Sequence, residues 1–376
     1  MTIKAPKPKL PPISPILQAC ATYVPGKPVE ELQRELGLSD IIKLASNENP
    51  LGPSPIALKA IENEIANIHF YPDVNHFYLR QKLAARLGVT AQELIIGNGS
   101  EEVVSLLIRS YCSPGDNTVG CGAAFLAYRV CSQVHGVEYR EPALNRDMNL
   151  ELEELLSLVD AKTRIVFLPN PNNPTGTYLN RATMRKLLQR LQERSVLVML
   201  DYAYWEYVRT KDLPSPEELY SEFPNVLVTR TFSKIYGLAG LRVGYGMAHP
   251  DILETMRKVK MPFNVTTLGL AAALAALEDE AHVKRSYDLN VEGIEYLEKE
   301  FQRMGLDFWP SQANFLLVRM PVDAKQVYDK MLTEGVILRP VANYRLPEFL
   351  RVSVGTMSQN KRMIASLEKT LRGFKA

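Results

Sequence analysis

The chain has 376 residues, 46% of them hydrophobic and 23% charged, a balance that suits a soluble globular protein of two or three domains. Its 44 Lys+Arg against 42 Asp+Glu leave a formal net charge of +2. No basic excess argues for nucleic acid, and no charge block argues for a tail or a membrane-binding face. Cys20, Cys112, Cys121 and Cys131 form no CxxC pair and have no His at metal-ligand spacing, so reduced thiols in a cytoplasmic protein and no metal site are expected. Residues 1–15 hold no apolar run of the signal-peptide kind.

Taken in chain order, the first 15 residues carry five prolines and are expected to form an extended arm. From about residue 90 to 250, short apolar runs rich in β-branched residues recur at 94–97, 117–122, 136–144, 164–168, 196–201, 226–229 and 241–247. Helical patterns at 101–111, 150–159 and 181–193 separate several of them. This alternation predicts crossover connections and a mostly parallel seven-stranded sheet with helices on both faces, a large α/β domain. The apolar stretch 271–277 is too short to span a bilayer and reads as a buried helix. After it come a long helix over 281–304, strands at 314–319, 335–339 and 350–354, and a final helix from Gln359, the texture of a smaller α+β domain.

In an open α/β sheet, ligands collect at the carboxyl ends of the strands. Five such ends carry polar groups out of character with the run before them. The first is Gly97-Asn98-Gly99-Ser100-Glu101-Glu102, where glycines let the backbone approach a ligand and the N–H groups opening a helix favour an anion. A tight turn with Ser100 as N-cap is the plainer alternative. Glu102 stands where the dinucleotide fingerprint needs a third glycine. The second is the constrained turn Asn170-Pro171-Asn172-Asn173-Pro174-Thr175-Gly176, rigid enough to aim an amide at a ligand. Third, Asp201 closes an apolar run and is followed by Tyr202-Ala203-Tyr204; a carboxylate there needs a cationic partner, or serves as a helix N-cap.

Fourth, Thr231-Phe232-Ser233-Lys234 follows a strand and precedes a glycine-rich segment containing Arg242. A lysine so placed is desolvated, its pKa falls, and its amine becomes a nucleophile able to form a Schiff base. Ser233 and Arg242 would add donors for a phosphate. Fifth, Arg351 lies inside an apolar run, where a guanidinium pairs with a planar anion or with an internal salt-bridge partner. One cofactor uses all five elements. Pyridoxal phosphate needs a lysine for its aldehyde, a carboxylate for its ring nitrogen and a cup for its phosphate.

These segments, with Tyr23-Val24-Pro25-Gly26-Lys27-Pro28, the stretch from Leu44 to Pro53, and Tyr71-Pro72-Asp73, resemble in order the fold-type-I aminotransferases, most closely the histidinol-phosphate aminotransferase group of the class-II subfamily. The resemblance implies an arm with part of a small domain over 1–45, a large cofactor-binding domain over 46–265 and a small domain over 266–376. It implies that Lys234 is the Schiff-base lysine and general acid/base, that Asp201 pairs with the ring nitrogen, and that Asn173 and Tyr204 hydrogen-bond the ring oxygen. The amides of Ser100 and Glu101, with Ser233 and Arg242, would hold the phosphate, and Phe125 would stack on the ring in place of the more usual tyrosine. Tyr71 would reach a neighbouring cofactor across a homodimer. Arg351 would clamp the α-carboxylate, with Arg339 and Tyr23 at the substrate's distal end.

Three departures stand out: Tyr202 replaces the usual acid after the aspartate, Val74-Asn75-His76-Phe77 replaces a Gly-rich stretch, and Arg345 replaces a common glycine. The activity implied is transamination between L-histidinol phosphate and 2-oxoglutarate in histidine biosynthesis, which needs a distal site that takes both a phosphate and a carboxylate. An aromatic (phenylalanine or tyrosine) aminotransferase and an amino-acid-phosphate decarboxylase are the alternatives, since reaction choice depends on which Cα bond stands perpendicular to the ring. A regulatory module that merely binds the cofactor would not need Lys234, Asp201 and Arg351 together.

Overall fold

The apolar runs between residues 94 and 248 pair into one seven-stranded sheet in the computed structural model, which describes residues 9–18, 20 and 26–374. A short strand, β1 (Ile42–Lys43), precedes them. The seven are β2 (Leu94–Asn98), β3 (Asn117–Gly120), β4 (Glu138–Arg140), β5 (Thr163–Pro169), β6 (Leu197–Asp201), β7 (Val226–Thr231) and β8 (Val243–Ala248). Their spatial order is β2-β8-β7-β6-β5-β3-β4. Only β8 runs against its neighbours β2 and β7; the other pairings are parallel. Strands β3, β7 and β8 are buried along their whole length, the mark of a sheet covered on both faces.

The reversal of β8 has a geometric consequence. Register places Thr231 opposite Gly244 and Asn98 opposite Val243, so β8 begins at the edge where β2 and β7 end. Arg242, just before β8, therefore joins the residues that follow the parallel strands.

Several boundaries differ from expectation. The run 136–144 contributes only Glu138–Arg140, because β4 is an edge strand with one partner and Pro142 cannot extend the ladder. Leu241 falls in a 3-10 turn, Ala239–Leu241, and Arg242 takes a left-handed φ of 57°, so the last strand starts at Val243. The helix expected over 150–159 is confined to Leu152–Ser157, while the one expected from Glu101 already opens at Gly99. The helix Arg181–Gln192 is capped by Asn180 and buries Met184, Leu187, Leu188 and Leu191, one face of a 3.6-residue period. The stretch around 271–277 is a buried helix, Thr267–Ala276, packed on the helix Pro55–Glu64.

The later strands are β9 (Phe308–Trp309), β10 (Phe315–Arg319), β11 (Val336–Ile337), β12 (Arg339–Pro340) and β13 (Phe349–Ser353). Four of them form an antiparallel sheet in the order β12-β13-β10-β9, while β11 pairs in parallel with β1. The single run expected over 335–339 is thus divided at Leu338 between two sheets. The helices Glu280–Arg303 and Met357–Arg372 contribute Ile294, Leu297, Phe301, Met363 and Leu367 to a second apolar core, which also takes Ile42 and Leu44 from the start of the chain. The final helix starts at Met357, two residues before Gln359, because Thr356 and Gln359 form a capping box. No helix among the described residues is long and apolar enough to cross a membrane.

Candidate active site

Register aligns Pro169 with Asp201 and Asp201 with Thr229, so the ends of β5, β6 and β7 lie level. Above that edge is a cleft with a cavity volume of ≈ 190 Å³. Eleven of the thirteen residues singled out above line it: Ser100, Glu101, Phe125, Asn173, Asp201, Tyr204, Ser233, Lys234, Arg242, Arg339 and Arg351. Tyr71 lies elsewhere, 82% exposed with its ring stacked on Phe263. Tyr23 falls outside the described residues.

Lys234 follows the end of β7, partly buried, and its Nζ donates to the Ser46 carbonyl at 3.0 Å. Burial first, then the nearby Arg351 cation, bring its pKa down to about 8. Asp201 ends β6 with only 6% exposure. Its Oδ2 accepts from the Tyr128 hydroxyl at 2.6 Å and its Oδ1 from the Ala203 N–H at 3.0 Å. Burial pushes the carboxyl upward, and these two donors oppose that push. Lys234 and Asp201 are the cation and the anion expected at adjacent strand ends.

At one end of the cleft the helix Gly99–Tyr111 begins. Its N-cap Asn98 makes no side-chain capping bond, so Ser100 is not the N-cap and the first-turn amides at Ser100 and Glu101 border open space. Two glycines make the close approach possible. A Cβ on Gly99, whose φ is 74°, would lie 2.6 Å from Arg242 Nη2, and one on Gly244 would lie 2.4 Å from the Ser100 nitrogen. Arg242 Nη1 donates to Ser233 Oγ at 3.4 Å. A helix start, a hydroxyl and a guanidinium in one concavity are the donor set that suits a phosphate.

At the other end stand two buried arginines. Arg351 donates through Nη1 to Asn173 Oδ1 at 2.5 Å and through Nη2 to the Ala45 carbonyl at 2.6 Å. Arg339 is its direct partner across the β12–β13 pair, and both are under 10% exposed. Both guanidinium groups border the cleft, and two cations on one wall favour an oxyanion there. The Tyr204 hydroxyl accepts from Asn47 Nδ2 at 2.9 Å, and Asn47 in turn bonds Ser353 of β13. Burial lifts the Tyr204 phenol to about 12, so it is present as a neutral donor.

Tyr128, Ser46, Asn47 and Tyr344 also line the cleft, although sequence patterns alone did not single them out as site residues. Asn47 lies in a segment already quoted for its likeness. Tyr128 lies in the helix Ala127–Val134, which opens only after Phe125, so the spacing of the two aromatics gave no signal. The departures lie outside the cleft lining. Tyr202 is fully buried and donates to the Pro214 carbonyl. His76, at φ 51°, opens the helix Phe77–Leu87. Arg345 has φ 63°, a left-handed conformation that explains a glycine there, and its exposed side chain lies 3.7 Å from Glu141.

The sequence model of the family "Aminotransferase class I and II" matches residues 39–367. The histidinol-phosphate aminotransferase 2 of Pseudomonas aeruginosa is 46% identical over 95% of this chain and 97% of its own length. The histidinol-phosphate aminotransferase of Moorella thermoacetica is also 46% identical, over 93% and 90%. Among solved structures, the histidinol-phosphate aminotransferase from Sinorhizobium meliloti in complex with pyridoxal-5'-phosphate superposes with a TM-score of 0.88 at 28% identity, over 96% of this chain and 98% of that one. The large, mostly parallel sheet with its smaller α+β partner is the architecture of fold-type-I aminotransferases. The chain belongs to the class I and II aminotransferase family.

Proposed function

We propose that this protein is a pyridoxal-phosphate-dependent transaminase that passes an amino group between L-histidinol phosphate and 2-oxoglutarate, and so serves histidine biosynthesis. The observation that carries the reading is the disposition of cationic groups about Lys234. Ser233 and Arg242 line the cleft with it, and so do Arg339 and Arg351, which are register partners. The chemistry of the donors fits the cofactor: a phosphate ligand for Ser100, Glu101, Ser233 and Arg242, a flat ring for Phe125, and a ring nitrogen for Asp201.

When bound, pyridoxal phosphate supplies an aldehyde and an electron-accepting ring. Lys234 Nζ, with its pKa brought down to about 8, is neutral in a useful fraction near neutral pH and removes and returns the proton at the substrate α-carbon. Asp201 keeps a proton on the ring nitrogen. Asn173 and Tyr204 would donate hydrogen bonds to the ring oxygen and so orient the cofactor. Histidinol phosphate carries a phosphoester-bearing arm where an amino acid carries its α-carboxylate. Arg351 and Arg339, facing across paired strands, form one cationic surface on which either oxyanion sits. On this reading one cleft would take both the phosphorylated amine and the carboxylate-bearing partner.

The partner of this reading is a second copy of the chain. Ile68, Phe70, Tyr71, Phe77, Tyr78 and Met261 are all more than half exposed, apolar surface whose burial against a partner would be favourable. Tyr71 would reach from it to the neighbouring phosphate cup. The four cysteines form no disulfide, which suits the cytoplasm.

A half-reaction panel tests the function. Holoenzyme is mixed with histidinol phosphate, phenylalanine, tyrosine and threonine phosphate, and conversion of the bound cofactor to its amine form is followed by absorbance. The expected order has histidinol phosphate first; a faster response to phenylalanine would replace the reading with an aromatic aminotransferase.

A further inference from the structure

Tyr128 is a buried cleft residue without a part in the chemistry above. It lies in the helix Ala127–Val134, with no solvent exposure. Its ring stacks on Phe167 of β5, centroids 4.8 Å apart and planes 4° from parallel, and it meets Phe125 edge-on at 5.8 Å and 89°. Its hydroxyl donates to Asp201 Oδ2 at 2.6 Å, a short charge-assisted bond. Phe125 is assigned to the face of the cofactor ring and Asp201 to its nitrogen, so a single clamped side chain braces both.

We propose that Tyr128 is a positioning residue that holds Asp201 ionised and aimed, and thereby keeps the proton on the cofactor's ring nitrogen. The proposal rests on the pyridoxal-phosphate reading above. Burial disfavours the Asp201 carboxylate, and each hydrogen bond donated to it favours the charged form. A carboxylate that accepts the Tyr128 hydroxyl is also a weaker base. The proton it shares with the ring nitrogen then stays on the ring, where it draws electron density from the substrate α-carbon. Removing the hydroxyl makes Asp201 more basic, and the proton moves toward the carboxylate.

Tyr128 is the donor to Oδ2, while the Ala203 N–H donates to Oδ1. The cation that faces Asp201 is Lys234, whose amine is committed to the reaction. Thr229 lies beside Asp201 and also favours its charged form. Tyr139 and Cys121, which face Tyr128, are buried and pushed upward, so both stay neutral near pH 7.

Tyr128→Phe keeps the stacked ring and deletes only the hydroxyl. Wild type, Tyr128→Phe, Asp201→Asn and the double variant are prepared as holoenzymes and titrated by visible absorbance. A positive charge on the ring nitrogen disfavours a second proton at the Lys234–cofactor linkage. The midpoint of the visible band should therefore rise in Tyr128→Phe, by about one pH unit. Turnover should fall about tenfold with KM little changed, and the double variant should be no worse than Asp201→Asn alone. An unchanged midpoint with only a lower melting temperature, or additive losses in the double variant, would overturn the proposal and leave Tyr128 a packing residue.

If Tyr128→Phe does not fold, nitrogen NMR of wild type loaded with ring-labelled cofactor decides the matter. A ring nitrogen protonated between about pH 6 and 9 supports the proposal, and a neutral one overturns it. Failure of the wild-type chain to form any lysine-bound visible band with pyridoxal phosphate would instead overturn the cofactor reading.

Discussion

The cofactor-side wall of the cleft and its substrate-side wall come from regions of different connectivity. On the first, each group sits within a few residues of a strand end: Asp201 closes β6, Lys234 follows β7, Asn173 follows β5 and Arg242 precedes β8. On the second, Arg339 and Arg351 stand twelve positions apart and meet because β12 and β13 pair antiparallel. The Ala45 carbonyl, from near the start of the chain, holds Arg351 in place. The first wall is assembled from short local motifs brought level by one sheet. The second depends on a register between distant segments, where a one-residue slip would turn an arginine away from the cleft. On the proposed reading, chemistry would be concentrated on the wall hardest to disturb, and substrate choice on the wall that strand pairing adjusts.

Four measurements would break or sharpen that contrast. The largest effect belongs to the first wall. Lys234→Ala should cut turnover about ten-thousandfold or more, because amine nucleophile and proton carrier are lost together. Calorimetry should still detect binding of phosphorylated substrate at the second wall. Turnover within tenfold of wild type would mean that the chemistry lies elsewhere.

Arg339→Ala touches the second wall alone. Without the charge-assisted hydrogen bond from its guanidinium, kcat/KM for histidinol phosphate should drop about 10- to 100-fold, and that for phenylalanine far less. Equal losses would show that Arg339 does not discriminate between donors.

The third measurement concerns the cost of holding Lys234 in place. Its folded value of about 8 lies below the ordinary 10.5, so over that interval the unfolded chain binds a proton that the folded chain has released. The penalty, roughly 3 kcal/mol, is fully present below pH 8 and disappears as pH rises through 10.5. Denaturant unfolding of cofactor-free protein should show Lys234→Met more stable than wild type near pH 7, with the gap closing by about pH 10.5. A gap that does not vary with pH would mean that burial is not what depresses this lysine.

The smallest effect is a control remote from both walls. Thr356→Ala removes the capping box of Met357–Arg372 and should cost about 1 kcal/mol in urea unfolding, with unchanged kcat. A change in kcat would mean that the second core is coupled to the cleft more tightly than its packing suggests.

Much of the first wall was legible in the sequence because its signals are local. An apolar run that stops at Asp201 or before Ser233-Lys234 marks a buried strand with a polar end, and Gly97-Asn98-Gly99 marks a backbone open to an anion. Where local reading erred, long-range packing was responsible. The run 335–339 has the pattern of one strand, yet β11 follows β1 and β12 follows β13, a division set by the partners. Tyr128 carries no mark of its own, because a tyrosine on an apolar helix face is ordinarily core and its hydroxyl meets Asp201 only once Ala127–Val134 is seated on the sheet.

The sequence by itself determined the alternating α/β architecture and the identity of the groups at its strand ends, since hydrophobic period and strand-end chemistry are properties of a few neighbouring residues. Tertiary structure decided which way β8 runs, and so that Arg242 comes to lie beside Ser233. It also decided that Arg339 faces Arg351 and that Tyr128 reaches Asp201. Each joins segments whose pairing depends on burying apolar surface across the whole molecule, and that cooperative term is not written in any local stretch of chain.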